Sequence, residues 1–119
     1  MDGKPAPVYD QEGVLARLDG DAALGREILA VFLQDTPGRL AALEEAVGRG
    51  RPDDVRILAH ALKGAAANVG ALAFSRAAQA VEKAARAGLT PDLPGLIARL
   101  AGELARLAQW AGDRAGSDE

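Results

Sequence analysis

Cysteine is absent from this 119-residue chain, which excludes disulfides, Cys-ligated zinc and thiol nucleophiles. Aromatic residues make up only 3% of the chain and histidine occurs once, so a β-sandwich core and a His-rich metal centre both lack their raw material. A carboxylate-bridged metal bundle needs Glu three residues before a His, and the residue three before His60 is Ile57. No apolar run approaches bilayer length, and Met1-Asp2-Gly3-Lys4-Pro5 has no secretory pattern; the expectation is a cytoplasmic protein without a membrane partner. The formal charge is −3, with acidic and basic residues interspersed, which argues against nucleic acid as a partner.

What is present is alanine and leucine, in a composition that is 49% hydrophobic. That favours helices meeting through small side chains, and the length suits one domain. Residues 1–8 carry prolines and a glycine without periodicity and read as a flexible N-terminus; 9–114 read as one helical domain and 115–119 as a flexible tail. Asp10 is placed to cap a short helix bearing Val14, Leu15 and Leu18, and Asp21 to cap the next. That second helix shows Leu24, Ile28, Val31 and Phe32, then Leu40, Leu43 and Val47, in continuous phase up to Gly48 and Gly50. Pro37 either kinks it or, with Thr36 as N-cap, starts a separate helix; the unbroken phase favours the kink.

Asp53 is expected to cap a third helix ending at Gly70. Phe74, Ala77, Ala78, Val81, Ala84 and Ala85 mark a fourth, closing at Gly88, and Thr90-Pro91-Asp92 opens a fifth with Leu93, Ile97, Leu100, Leu104, Leu107 and Ala111 inward. Trp110 reads as a packing residue at the bundle edge. Short connections make neighbouring helices antiparallel, so the expected fold is all-α: an up-and-down four-helix bundle with a short additional N-terminal helix.

His60 stands out in that frame. The stripe Val55, Leu58, Ala59, Leu62, Ala66 and Val69 centres at roughly 330° when Val55 is set to zero, while His60 falls at roughly 140°. The imidazole therefore points away from the core, and a solvent-exposed imidazole is largely uncharged and nucleophilic at neutral pH. Arg56 and Gly64 lie one turn away on either side, Lys63 lies beside it and Ala67 two turns on. A glycine inside a helix costs about 1 kcal/mol relative to alanine and marks either close approach by another molecule or relief of packing against a neighbouring helix. Lys63, with Arg56 and Arg86, suits an anion at the ring. The plainer alternative is an ordinary surface histidine with a lysine nearby.

The run Leu58-Ala59-His60-Ala61-Leu62-Lys63-Gly64-Ala65-Ala66-Ala67-Asn68-Val69-Gly70-Ala71 resembles the signature of histidine-containing phosphotransfer (HPt) domains. The resemblance continues upstream through Phe32-Leu33-Gln34-Asp35-Thr36-Pro37 and Leu43-Glu44-Glu45-Ala46 and downstream to Val81-Glu82, covering about Asp21 to Gly88. Ala71 and Ala73 depart from it, being smaller than the apolar residues common after the second glycine, with Phe74 supplying the bulk. The resemblance implies an exposed histidine that exchanges a phosphoryl group with the aspartate of a response-regulator receiver domain. It implies His60 as phosphoacceptor, Lys63 as compensating cation, and Gly64 as the gap that admits the receiver; Arg56, Ala67 and Arg86, read above as neighbours of the ring, are expected on the partner-binding face. Glu82 matches a position that hydrogen-bonds the other ring nitrogen; a solvated carboxylate or an ion-pair partner of Lys63 or Arg86 are the alternatives.

The implied protein is a phosphoryl carrier without autokinase activity or its own cofactor, Mg2+ belonging to the receiver. Its partners are receiver domains or a hybrid histidine kinase, and an exposed site suits a monomer. Starting at Met1 leans toward a freestanding protein. A non-catalytic helical bundle that binds a receiver or another partner without being phosphorylated is the rival reading. A sensor-kinase dimerisation domain fits poorly, because Ala61 stands where an acidic residue typically follows the histidine.

Overall fold

A computed structural model describes residues 5–117; the extreme ends of the expected flexible termini, 1–4 and 118–119, lie outside the described residues. Five helices follow in order: α1 (Gln11–Arg17), α2 (Ala22–Gly48), α3 (Pro52–Val69), α4 (Leu72–Arg86) and α5 (Leu93–Ser117), with no strand among the described residues. α2 to α5 form the bundle, in which α3 pairs most extensively with α4, α2 packs on α3, and α5 closes against α4 and α2. No helix is long and apolar enough to cross a membrane.

Local signals set most boundaries. Asp10 and Asp21 accept hydrogen bonds from the Gly13 and Leu24 amides and so cap α1 and α2. α3 differs from expectation: Pro52 opens it, Arg51 is the N-cap without a side-chain bond, and Asp53 sits inside the first turn. Proline at the first helical position needs no partner for a missing N–H, and Asp53 and Asp54 instead face the positive end of the helix dipole. α2 runs unbroken through Pro37 for 27 residues. Thr36 is not a cap; it is buried, and its hydroxyl donates to the Phe32 carbonyl at 2.5 Å. Pro37 itself is exposed, and its missing N–H leaves the Leu33 carbonyl without the usual helical donor.

The core is built from Leu29, Phe32, Leu40 and Leu43, from Val55, Ala59, Leu62 and Ala66, from Phe74, Ala77, Ala78 and Val81, and from Leu93, Ile97, Leu100 and Leu107. Phe32 and Phe74 meet edge to face with ring centroids 5.4 Å apart. The stripe expected on α2 is corrected at two positions, since Leu24 is 39% and Val31 54% exposed. Two apolar stripes compete on the first half of α2, and the one carrying Leu29 and Phe32 is buried.

Residues 5–8, expected within the flexible N-terminus, lie along the bundle together with Tyr9 and Asp10. The Ala73 amide donates to the Pro7 carbonyl at 2.9 Å, the Asp10 amide to the Gly70 carbonyl at 2.8 Å, and Tyr9 stacks on Trp110 at 4.6 Å. Ala71 and Ala73 are buried beneath this strap, so small side chains there leave room for it. At the other end, α5 continues to Ser117, beyond the boundary expected at 114. Arg17 closes the C-terminus of α3 by donating to the Asn68 carbonyl at 3.1 Å.

Gly70 is the hub of that end. Its φ is +90°, and a Cβ there would lie 2.5 Å from Val14 Cγ2. Gly70→Ala is expected to lower unfolding free energy by about 1–3 kcal/mol, read as a fall in the urea midpoint at unchanged slope. An unchanged midpoint would show that the strap and α1 shift to make room.

Candidate functional site

α3 and α4 meet along buried alanines, Ala59 and Ala66 on one side and Ala77, Ala78 and Ala85 on the other. Small side chains let the two helices approach closely, and side chains on their shared edge reach across. His60, on α3, leaves 65% of its side chain exposed; Glu82, on α4, leaves 4%. Nδ1 of His60 lies 2.8 Å from Oε2 of Glu82. Lys63 Nζ lies 2.9 Å from Oε1 of the same carboxylate, and Arg86 donates to Oε2 at 3.2 Å. The alternatives left open for Glu82 thus resolve into two roles at once: ring partner and ion-pair partner. Solvation is excluded by its burial.

Burial alone would push the Glu82 carboxyl upward, but it is held below the usual carboxylate range, first by the hydrogen bond from Lys63 and then by that with His60. An ionised carboxylate only accepts. The ring proton of neutral His60 therefore sits on Nδ1, pointing into the protein, and the lone pair of Nε2 is left on the solvent side. Backbone bonding supports the arrangement: the Ser75 hydroxyl on α4 donates to the Lys63 carbonyl at 2.9 Å.

Gly64 is exposed, and a Cβ there would meet nothing within 4 Å. Relief of packing within the chain is thereby removed as its reason, leaving open surface one turn from the imidazole. Ala67 is exposed along the same face, Arg56 is half-buried, and Arg86 is 64% exposed while paired with Glu82. Ile57 is the residue that sequence reasoning passed over as a site member: it is 56% exposed, one turn before His60. Its signal was present, because a large branched apolar residue stands off the buried stripe. The Ser75 bond had no such signal, being a contact between helices. Among the described residues no three His, Cys, Asp or Glu side chains converge as a metal site requires.

Comparison with known proteins bears on the family and the fold. A family model described as Hpt domain matches residues 27–110, a span containing His60, Lys63, Gly64, Glu82 and Arg86. The crystal structure of histidine-containing phosphotransfer protein B from Pseudomonas aeruginosa is similar with a TM-score of 0.81 at 26% identity, covering 92% of this chain and 95% of that one. The Hpt domain from a sensor hybrid histidine kinase of Shewanella shares the fold, with a TM-score of 0.73 at 19% identity over the same shares of the two chains. No curated protein gives a significant match. With most of its length matched by the family model and its bundle superposing on a phosphotransfer protein, this chain belongs to the Hpt domain family, the histidine phosphotransfer proteins of phosphorelays.

Proposed function

We propose that His60 is the residue on which this chain carries the phosphoryl group, accepting it from, and returning it to, the aspartate of a receiver domain. One observation carries the assignment: an exposed imidazole whose Nδ1 is held by a buried carboxylate, so that Nε2 faces solvent. Nε2 attacks the phosphorus of the receiver's aspartyl phosphate in line; the N–P bond forms, the acyl-phosphate P–O bond breaks, and the aspartate leaves as carboxylate. The ring proton stays on Nδ1 against Glu82 throughout. Such transfer rests on positioning and charge compensation more than on covalent chemistry from the protein. Lys63, Arg56 and Arg86 add positive charge around the ring, and the receiver supplies Mg2+ with its own carboxylates.

This makes the chain a carrier without autokinase activity or a cofactor of its own. It acts as a cytoplasmic monomer, docking receiver domains or a hybrid kinase through the face of Ile57, His60, Gly64 and Ala67. Open space over Gly64 supports that face, since a partner's backbone can lie close to α3 there.

Incubation with a phosphorylated receiver is expected to yield an acid-labile, alkali-stable phosphate on this chain, absent in His60→Gln. Label surviving that substitution would refute the assignment, and undiminished receiver binding without any label would instead favour a non-catalytic interaction module. Gly64→Ala is expected to raise stability by about 1 kcal/mol, from helix propensity alone, while slowing transfer roughly tenfold through lost approach. Equal or faster transfer would remove Gly64 from the interface. Ile57→Asp is expected to weaken receiver binding by roughly 1–2 kcal/mol with little change in the urea midpoint, measured by calorimetry; unchanged affinity would place docking elsewhere.

A further inference from the structure

The seam between α2 and α5 lies across the bundle from the imidazole, and these two helices meet far more sparsely than α3 and α4 do. Where that seam opens, α1 and the strap enclose a cavity of about 330 Å³, none of whose lining residues belongs to α3 or α4. Its walls are mainly apolar: Val14 and Leu15 of α1, Leu29 and Leu33 of α2, and Trp110 of α5 with Tyr9 stacked on it at 4.6 Å. A cavity of this size, lined by apolar and aromatic side chains with a few polar groups, is the usual form of a small-molecule site.

The polar groups sit on the α2 side. Gly25 lets the Tyr9 hydroxyl lie against that helix, since a Cβ there would stand 3.4 Å from the hydroxyl oxygen. Burial raises the pKa of this hydroxyl, Arg17 and Arg26 oppose the rise and Asp10 adds to it, so it is a donor at neutral pH. Among the described residues the hydroxyl has no hydrogen-bond partner, and Arg26, next to Gly25, has neither a hydrogen bond nor an ion pair. The neighbouring charges are committed elsewhere: Arg17 to the carbonyls at the end of α3, Asp10 to the Gly13 amide, and Arg114 over the Trp110 ring, 5.1 Å from its centroid. We propose that this cavity binds one small monocarboxylate with an apolar chain, the chain among Leu15, Leu29, Leu33 and Trp110 and the carboxylate between the Tyr9 hydroxyl and Arg26. One guanidinium and one neutral donor match the single charge and two oxygens of a carboxylate. Apolar burial supplies the driving force, and the two donors select the acid over an uncharged analogue.

The test titrates the full chain with octanoate and with 1-octanol, following heat by calorimetry and Trp110 emission by fluorescence. Octanoate is expected to bind at one molecule per chain with a saturable emission change, and octanol to bind roughly tenfold more weakly. Arg26→Gln, at an exposed position, is expected to weaken octanoate about tenfold while leaving octanol unchanged, and Arg26→Lys to restore most of the loss. Tyr9→Phe, which keeps the stacked ring, is expected to weaken octanoate about threefold. No saturable octanoate binding, equal affinity for acid and alcohol, or wild-type octanoate affinity in Arg26→Gln would each overturn the proposal. Heat without an emission change would place the ligand elsewhere on the chain and overturn it as well. A dimer that forms at rising chain concentration, with the same emission change and no octanoate present, would give the cavity to a second copy and equally refute a small-molecule site.

Discussion

A carboxylate withdrawn from water is the constraint around which this site is arranged. An ionised acid with 4% of its side chain exposed is costly to bury unless its oxygens are occupied, and Glu82 meets that cost with three donors on two helices. Each donor is constrained in return. The imidazole is turned so that one nitrogen faces inward, the lysine is drawn into the seam, and α3 and α4 are held in register at the level of the histidine. The alanines of the seam are the precondition, because bulkier residues there would separate the helices and put Glu82 out of reach of Nδ1.

The outward direction of His60, the neighbouring Lys63 and the exposed Gly64 were legible in the sequence, since helical periodicity alone places residues three and four apart on one face. Glu82 was harder to read. It stands at the edge of the α4 stripe, and whether such a residue is solvated or buried depends on the rotation of α4 against α3, which no local spacing reports. On α2 periodicity misled at Leu24 and Val31 because apolar residues occupy two sides of that helix, and only tertiary packing chooses between them. Asp53 looked like a cap through its position after a proline, yet the proline itself was the start. The strap was invisible for a related reason: Pro7 and Asp10 find their backbone partners more than 55 residues away in the chain, at Ala73 and Gly70.

The site and the bundle place opposite demands on glycine. Gly70 is required by the fold, with a left-handed backbone and Val14 pressed against the place of its missing side chain. Gly64 has regular helical surroundings and empty space, so the isolated domain gains nothing from it. A residue that weakens its own helix without relieving any internal contact points to something outside the chain. Together with exposed Ile57, it makes the surface around the imidazole flat at one point and apolar at another, a combination that suits a protein partner better than a small diffusible donor.

The strap has an optical consequence. Trp110 is the only tryptophan, and it lies stacked on Tyr9 with the Arg114 guanidinium 5.1 Å from its ring centroid. It belongs to α5, which packs on α4 and α2, so its emission monitors the seating of the N-terminal segment on the bundle. Detachment of that segment and events at the imidazole are thereby separable signals in one unmodified molecule: tryptophan fluorescence for the first, the lone histidine's ring resonances for the second.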